Sequence, residues 1–446
     1  MDSEEEETSS MPMSPSSSSL SAASSQPLLL NPAYARSKSV IHDELRNFRV
    51  FLQWCALDHS SRAARAASYA AFLALALAVP AAVSLSLRED TSLSPVSASA
   101  ITFNRVAQIP ATGLAAISFV TLAAFFRRCG GLRQLLFLDG GLRDDTAFVR
   151  RGYARELDRA FRLLAALLLP SLCVEAAHKA VFFFATVRVE PPLPAPPLLL
   201  PGVGVPWRAV ALMATVASWV YRTGVFLLVC VLFRLTCELQ ILRFEGIYHM
   251  FDVEARAAAT EIFAEHRRIR TQLLATSHRY RAFILSCLVT ITVSQLGALV
   301  VALSSKDGKS FANSGDLLVG SSVQLSGFFM CLFGAARITH RAQRIVSIAS
   351  QWHMSMESVA HHAKSAPLPP APSSSASDVD APHQPELGTT TACAYRSRHA
   401  LVTYLCHNSG GITLFGFTLD RGLLHTIFVF EMTLVLWILS KVVVLS

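Results

Sequence analysis

Charged residues are scarce in this chain. Asp, Glu, Lys and Arg make up 16% of it, where soluble globular domains carry about 25%. With 52% hydrophobic residues and a mean hydropathy of +0.42, that deficit excludes an ordinary soluble fold and points to a membrane protein. A basic, apolar leader is also missing. The start, Met1-Asp-Ser-Glu-Glu-Glu-Glu-Thr8, is acidic where a cleavable signal needs a basic segment and an apolar core, so none is expected. The nine cysteines fall within apolar spans or in loops assigned below to the cytoplasm. No two share an exposed outer loop, so a disulfide framework is not expected.

Catalytic motifs are lacking too. The sequence contains no His-Glu-x-x-His, paired Cys-x-x-Cys, Gly-x-Ser-x-Gly or phosphate-cradling loop. Gly202 and Gly204 lie in a Pro-bounded loop with no strand before them and no phosphate-binding Lys after. His361-His362 is a lone pair in a linker-like stretch. No enzyme activity, cofactor or metal is therefore expected. The net charge of +8 is spread beside apolar spans and not gathered in one block. Bilayer orientation explains it better than nucleic acid does.

Long apolar runs dominate what is there. Seven spans are expected at about 66–87, 106–126, 163–187, 207–235, 283–303, 317–338 and 422–445. Pro80 should kink the first. Basic residues alternate strongly between loops. Arg127, Arg128, Arg133, Arg143, Arg150, Arg151, Arg155, Arg159 and Arg162 separate spans two and three; Arg243, Arg256, Arg267, Arg268, Arg270, Arg279 and Arg281 separate four and five. Arg337, Arg341, Arg344, Lys364, Arg396 and Arg398 follow span six, whereas the intervening loops carry only Arg88, Arg105, Arg188, Lys306 and Lys309. The positive-inside rule puts the N-terminus in the cytoplasm and the C-terminus outside.

Residues 1–40 are Ser-, Pro- and Glu-rich and read as a disordered tail, in which Ser37 and Ser39 stand in a basic setting open to a kinase. A helix at the membrane interface is expected over 43–57. The membrane domain covers 41–446, interrupted by a disordered cytoplasmic linker at 364–391. Spans four and six run on past the membrane without a breaker. In the second extension Ile338, Ala342, Ile345, Ala349 and Trp352 keep helical spacing. Such a stripe needs a partner, so a cytoplasmic helical bundle is expected beneath the bilayer. Tyr395 to Leu405 reads as a shorter helix, broken by Asn408-Ser-Gly-Gly411 before the last span. The chain has no evident internal repeat. Its fold class is an all-α integral membrane protein of seven transmembrane helices with an anchor bundle.

Polar residues inside the spans are the candidates for function, because each is costly in hydrocarbon. Glu175, His178 and Lys179 lie within about one turn of span three, with Lys179 roughly 24 Å from its cytoplasmic end. Tyr221 and Arg222 lie mid-way along span four. All five could face one outward-opening ligand cavity; a structural ion pair or a snorkelling Lys is the alternative. In the last span Thr426, Thr433 and Ser440 recur every seven residues on one face, and Glu431 sits near mid-span. On an ideal helix Glu431 lies about 140° from Thr426, so both cannot point at one axis. The hydroxyl face is the first choice for a pore wall. Glu431 is either a second candidate for it or a buried partner of His425 or of a basic group on a neighbouring helix.

Seven spans, this orientation, long cytoplasmic extensions and a split seventh element resemble the insect odorant and gustatory receptor family. The sequence is most similar to the plant gustatory-receptor-like family, which is labelled as extracellular ligand-gated ion channels. The residues carrying that resemblance are Gly410-Gly-Ile-Thr-Leu-Phe-Gly-Phe-Thr-Leu-Asp-Arg-Gly-Leu-Leu-His425 and Leu434-Val-Leu-Trp-Ile-Leu-Ser-Lys441, within a match over roughly 40–446. The insect resemblance implies a homotetramer whose last helices line a central cation pore, an anchor bundle joining subunits, and a small-molecule pocket among the outer halves of the helices. The insect last-helix signature is Thr-Tyr, five apolar residues, then Gln-Phe; with Thr433 on its Thr, Leu434, Ser440 and Lys441 replace the rest.

The expected function is a ligand-gated cation channel with the bilayer, sister copies and a small molecule as partners. The alternatives are a non-conducting membrane receptor or scaffold, a G-protein-coupled receptor, whose charge pattern would be the inverse, and a transporter, against which an odd span count without a repeat argues. The plasma membrane is the expected location, with an endomembrane as the alternative.

Overall fold

The computed structural model describes residues 61–88, 96–129, 147–186, 188–189, 207–251, 258–304, 311–365, 386–408 and 410–443, with 50, 52–53 and 55–59. The expected tail with Ser37 and Ser39, most of the interfacial helix and the Pro-rich loop at 190–206 lie outside the described residues. Nine α-helices are described. The first span is α1 (Arg62–Phe72), a π-helical stretch (Leu73–Ala78) and α2 (Val79–Ser86). Then come α3 (Val96–Cys129), α4 (Ala147–Val181), α5 (Trp207–Met250), α6 (Ala259–Ser304), α7 (Phe311–Ser365), α8 (Glu386–His407) and α9 (Arg421–Val443). Seven of these segments are long and apolar enough to cross a bilayer.

The first span carries a π-helical stretch immediately ahead of Pro80. Pro80 has no N–H to give back to Ala76, and the turn before it has widened: Val79 N–H bonds Ala74 O, five residues back. The carbonyl of Leu75 then lacks a helical partner, and Ser218 Oγ from α5 donates to it at 2.6 Å. Inside a bilayer each freed backbone group needs such a substitute.

Helix α5 is the hub. In its most apolar 18-residue stretch 89% of residues are buried, against 17–56% in the other six spans. It is apolar on all sides, as a helix surrounded by others must be. α4, α7, α3 and α6 all pack on it, whereas α9 packs mainly on α6 and α7 and so lies at one edge. A two-stranded ladder, β1 (Leu87–Arg88) with β2 (Arg188–Val189), ties the end of the first span to the chain beyond α4.

Helices of 44, 46 and 55 residues in α5, α6 and α7 are roughly 66–82 Å long at about 1.5 Å per residue, far more than the ~30 Å hydrocarbon core. Their surplus gathers at one end as a bundle. There Ile338, Ala342, Ile345, Ala349 and Trp352 are all buried, as their spacing requires. Phe251 meets Trp352 edge-on at 5.5 Å, Arg341 pairs with Glu245 at 3.3 Å, and Arg337 pairs with Glu238. α8 closes the bundle through buried Leu401 and Leu405 and the Tyr404–Phe263 ring contact at 4.8 Å.

Both edges of the linker expected over 364–391 are helical. α7 runs to Ser365 and carries His361-His362 as helix, and α8 begins at Glu386; residues 366–385 lie outside the described residues. After α8 the chain makes a small hairpin, β3 (Thr413–Leu414) with β4 (Phe417–Thr418). Phe415 and Gly416 form its turn with φ of 50° and 93°, the left-handed pair that a two-residue hairpin demands. Asp420 follows and caps α9, accepting from Leu423 N–H at 2.7 Å. Thr339 Oγ1 of α7 donates to Leu419 O at 2.7 Å, which fixes the entry of α9 against α7.

Candidate functional site

Four helices meet around a polar cavity. α4 supplies Glu175, His178 and Lys179, α5 supplies Arg222, α3 supplies Asn104, Gln108 and Thr112, and α7 supplies Asp316. Lys179 Nζ donates to Asp316 Oδ2 and, at 2.7 Å, to Asn104 Oδ1. His178 Nδ1 lies 2.7 Å from Asp316 Oδ1. The ring of His178 lies close against Gly315, where a Cβ would stand 2.6 Å from His178 Cδ2. Every one of these charged side chains is buried: Glu175, Lys179 and Arg222 are 2–3% exposed, Asp316 5% and His178 6%.

The remaining two charges are less well served. Glu175 Oε1 stands 3.8 Å from Lys179 Nζ, beyond hydrogen-bond range, and Glu175 Oε2 has no hydrogen-bond partner among the described residues. Among the described residues Arg222 bonds only neutral oxygens: Thr112 Oγ1 at 2.9 Å, Ser218 O at 3.3 Å and Gln108 O at 3.4 Å. Both groups line one cavity together with Lys179, Asp316 and Trp219. Its volume of about 20 Å³ holds a water, which needs about 10–15 Å³, and nothing the size of an odorant.

Of the five residues expected to share a ligand cavity, Glu175, Lys179 and Arg222 line it. His178 stands behind Asp316. Tyr221 packs against the main core, away from the lining, because it is turned about 100° from Arg222 on the same helix. Glu175, His178 and Asp316 each present a ligand atom within 4.8 Å of the others, a spacing a metal ion could use. The ammonium of Lys179 already occupies the Asp316 side of that triad, so the donor set fits an internal cation better than a metal.

Asn104 and Asp316 were not legible as site residues. Both lie just ahead of the apolar windows that define spans two and six, on helical turns that continue past those windows. An acid at the head of one span, facing a His-Lys pair inside another, is the signal that could have found them.

On α9 the structure separates the two kinds of candidate. Thr426, Thr433 and Ser440 are exposed. Leu424, Glu431, Leu434 and Ile438 are buried against α6 and α7. With about 100° per residue, the hydroxyl row falls at the middle of the exposed arc, with Phe430 and Trp437 on one flank and Val429 and Leu436 on the other. Glu431 is fully buried within the chain and accepts from Thr292 Oγ1 of α6. Its expected place on a pore wall is therefore corrected, because the helix's apolar ridge carries it inward. Among the described residues its partner is a hydroxyl, not His425 or another base.

The family model described as "Protein of unknown function (DUF3537)" matches residues 43–430. The chain belongs to that family. No curated protein matches the sequence. Among solved structures, the insect olfactory receptor OR5 from Machilis hrabei in complex with eugenol is similar to this DUF3537 protein, with a TM-score of 0.51 at 11% identity over 90% of this chain and 99% of that one. OR5 in a second structure gives a TM-score of 0.48 at 12% identity, over 90% and 98%. At this identity the first likeness establishes the fold alone: the seven-helix architecture seen in an insect olfactory receptor.

Proposed function

We propose that this DUF3537 protein is a subunit of a ligand-gated cation channel of the gustatory/odorant-receptor-like type, close to the plant gustatory-receptor-like proteins. Four copies surround a central path with α9 innermost, the N-terminus in the cytoplasm and the C-terminus outside, in the plasma membrane. The observation that carries the reading is the division of α9. Its carboxylate and apolar ridge are buried inside the protomer, and its hydroxyl row is the centre of the face left open. Thr426, Thr433 and Ser440 would form that wall, and neutral hydroxyl oxygens favour cations. The polar cavity is the ligand site. α7 connects the two, since it bears Asp316 at the cavity and packs on α9 lower down.

One observation favours a second reading, a non-conducting membrane receptor. Thr426 Oγ1 donates to Gly422 O at 3.0 Å and Thr433 Oγ1 to Val429 O at 2.7 Å, so the row can rest against lipid with its protons satisfied. Voltage clamp of oocytes expressing the chain separates the two. The channel reading predicts a current evoked by small molecules that Thr433→Trp abolishes at unchanged surface expression. Silence of the wild type at the surface, across charged and apolar ligands alike, supports the receptor.

A further inference from the structure

The cavity's charges are matched unevenly. Lys179 and Asp316 neutralise one another directly, with Asn104 and His178 completing their shells. That leaves Glu175 with an unpartnered oxygen and Arg222 with no ion pair among the described residues, both buried and both lining the same space. A buried guanidinium that bonds only neutral oxygens lacks an ion pair, and a buried carboxylate whose one ammonium stands at 3.8 Å and whose second oxygen bonds nothing is only partly matched. An apolar ligand would leave both as they are. An anion would serve only Arg222, and a simple cation only Glu175.

We propose that the cavity takes a small zwitterion, a molecule with a carboxylate and an ammonium a few bonds apart, such as an amino acid. Its carboxylate would meet Arg222 in the two-pronged geometry that guanidinium offers, its ammonium would meet Glu175 Oε2, and its stem would lie on Trp219. This inference rests on the ligand site proposed above and names its chemistry. It also supplies a source of movement. About 20 Å³ admits water and no amino acid, so binding must spread the wall. Part of that wall is α7, held to α4 by the Lys179–Asp316 pair. A ligand that binds only the spread state shifts the population toward it, and α7 carries the shift to α9.

The test is binding of radiolabelled glycine to the purified full-length protein in nanodiscs, with β-alanine, γ-aminobutyrate, acetate, methylamine and eugenol as competitors. The zwitterions should compete, and acetate and methylamine should be roughly 30-fold weaker or worse, the usual loss when one buried charge is left unpaired. Glu175→Gln and Arg222→Gln should each lose binding by a similar factor. Gly320→Leu removes no charged group and has open space at its Cβ, where Gln324 Nε2 at 3.9 Å is the one contact within 4 Å. It should fold, fill the cavity and abolish binding, so the test survives if either charge variant unfolds. Absence of glycine binding to the wild type, displacement by eugenol as effective as by β-alanine, or binding indifferent to Gly320→Leu overturns the proposal. Zwitterion binding without current would sink the channel reading alone; current evoked only by uncharged molecules would sink this inference alone.

Discussion

Lys179 and Asp316 lie 137 residues apart in sequence, yet their pairing holds α4 to α7 where both side chains are buried. Neither charge is stable there without the other. Removing one partner of a buried pair costs about 3–5 kcal/mol, whereas replacing both by apolar groups of similar volume is often close to neutral. Asp316→Asn should therefore lower the thermal unfolding temperature of the purified protein sharply. The double variant Lys179→Met, Asp316→Leu should recover most of the loss, and near-additive losses would show that the pair is not coupled. Glu431 teaches a different lesson at the same scale. Its position in the span was evident from the sequence, and its direction was not: the 140° between Glu431 and Thr426 says that they diverge, but only packing on α6 and α7 decides which points inward.

At the scale of elements, periodicity was a good guide wherever one face is apolar. The stripe from Ile338 to Trp352 forms the seam of the extension bundle as its spacing demanded, and the run of apolar residues on every side of α5 matches its central place. Composition was a poorer guide at boundaries. The Ser/Pro/Ala-rich character of 364–391 hid the last residues of α7 at one edge and the start of α8 at the other. The π stretch before Pro80 and the Phe415-Gly416 hairpin were also not legible, since neither carries the usual sequence sign of its geometry. That hairpin and the Asp420 cap set the angle at which α9 enters. Asp420→Ala should cost about 0.5–2 kcal/mol as a lost cap, while Trp352→Ala in the bundle should cost about 3–5 kcal/mol. Chemical unfolding followed by far-ultraviolet circular dichroism would rank them; equal losses would contradict the weight placed on the bundle seam.

For the whole molecule, seven helices and a common extension end follow from apolar length and helical period, and the likeness to an insect olfactory receptor at 11% identity shows how little residue identity such a fold needs. Helix-to-helix packing preserves the pattern of small, apolar and polar positions while nearly every side chain changes. In the proposed reading, function would be carried by what the single chain leaves unfinished: an open hydroxyl face on α9, and two incompletely matched charges beside Trp219. The open face is the more decisive of the two, because it separates a channel from a receptor that conducts nothing. Single cysteines at Thr426, Thr433 and Ser440, and at Leu436 on the flank of the same arc, would be expressed in oocytes and exposed to a charged, membrane-impermeant thiol reagent while current is recorded. The account predicts that modification at the three hydroxyl positions blocks the current and that modification at Leu436 leaves it largely intact. Full current after exposure at all three hydroxyl positions, with lipid-soluble reagents reaching those same cysteines, would contradict it.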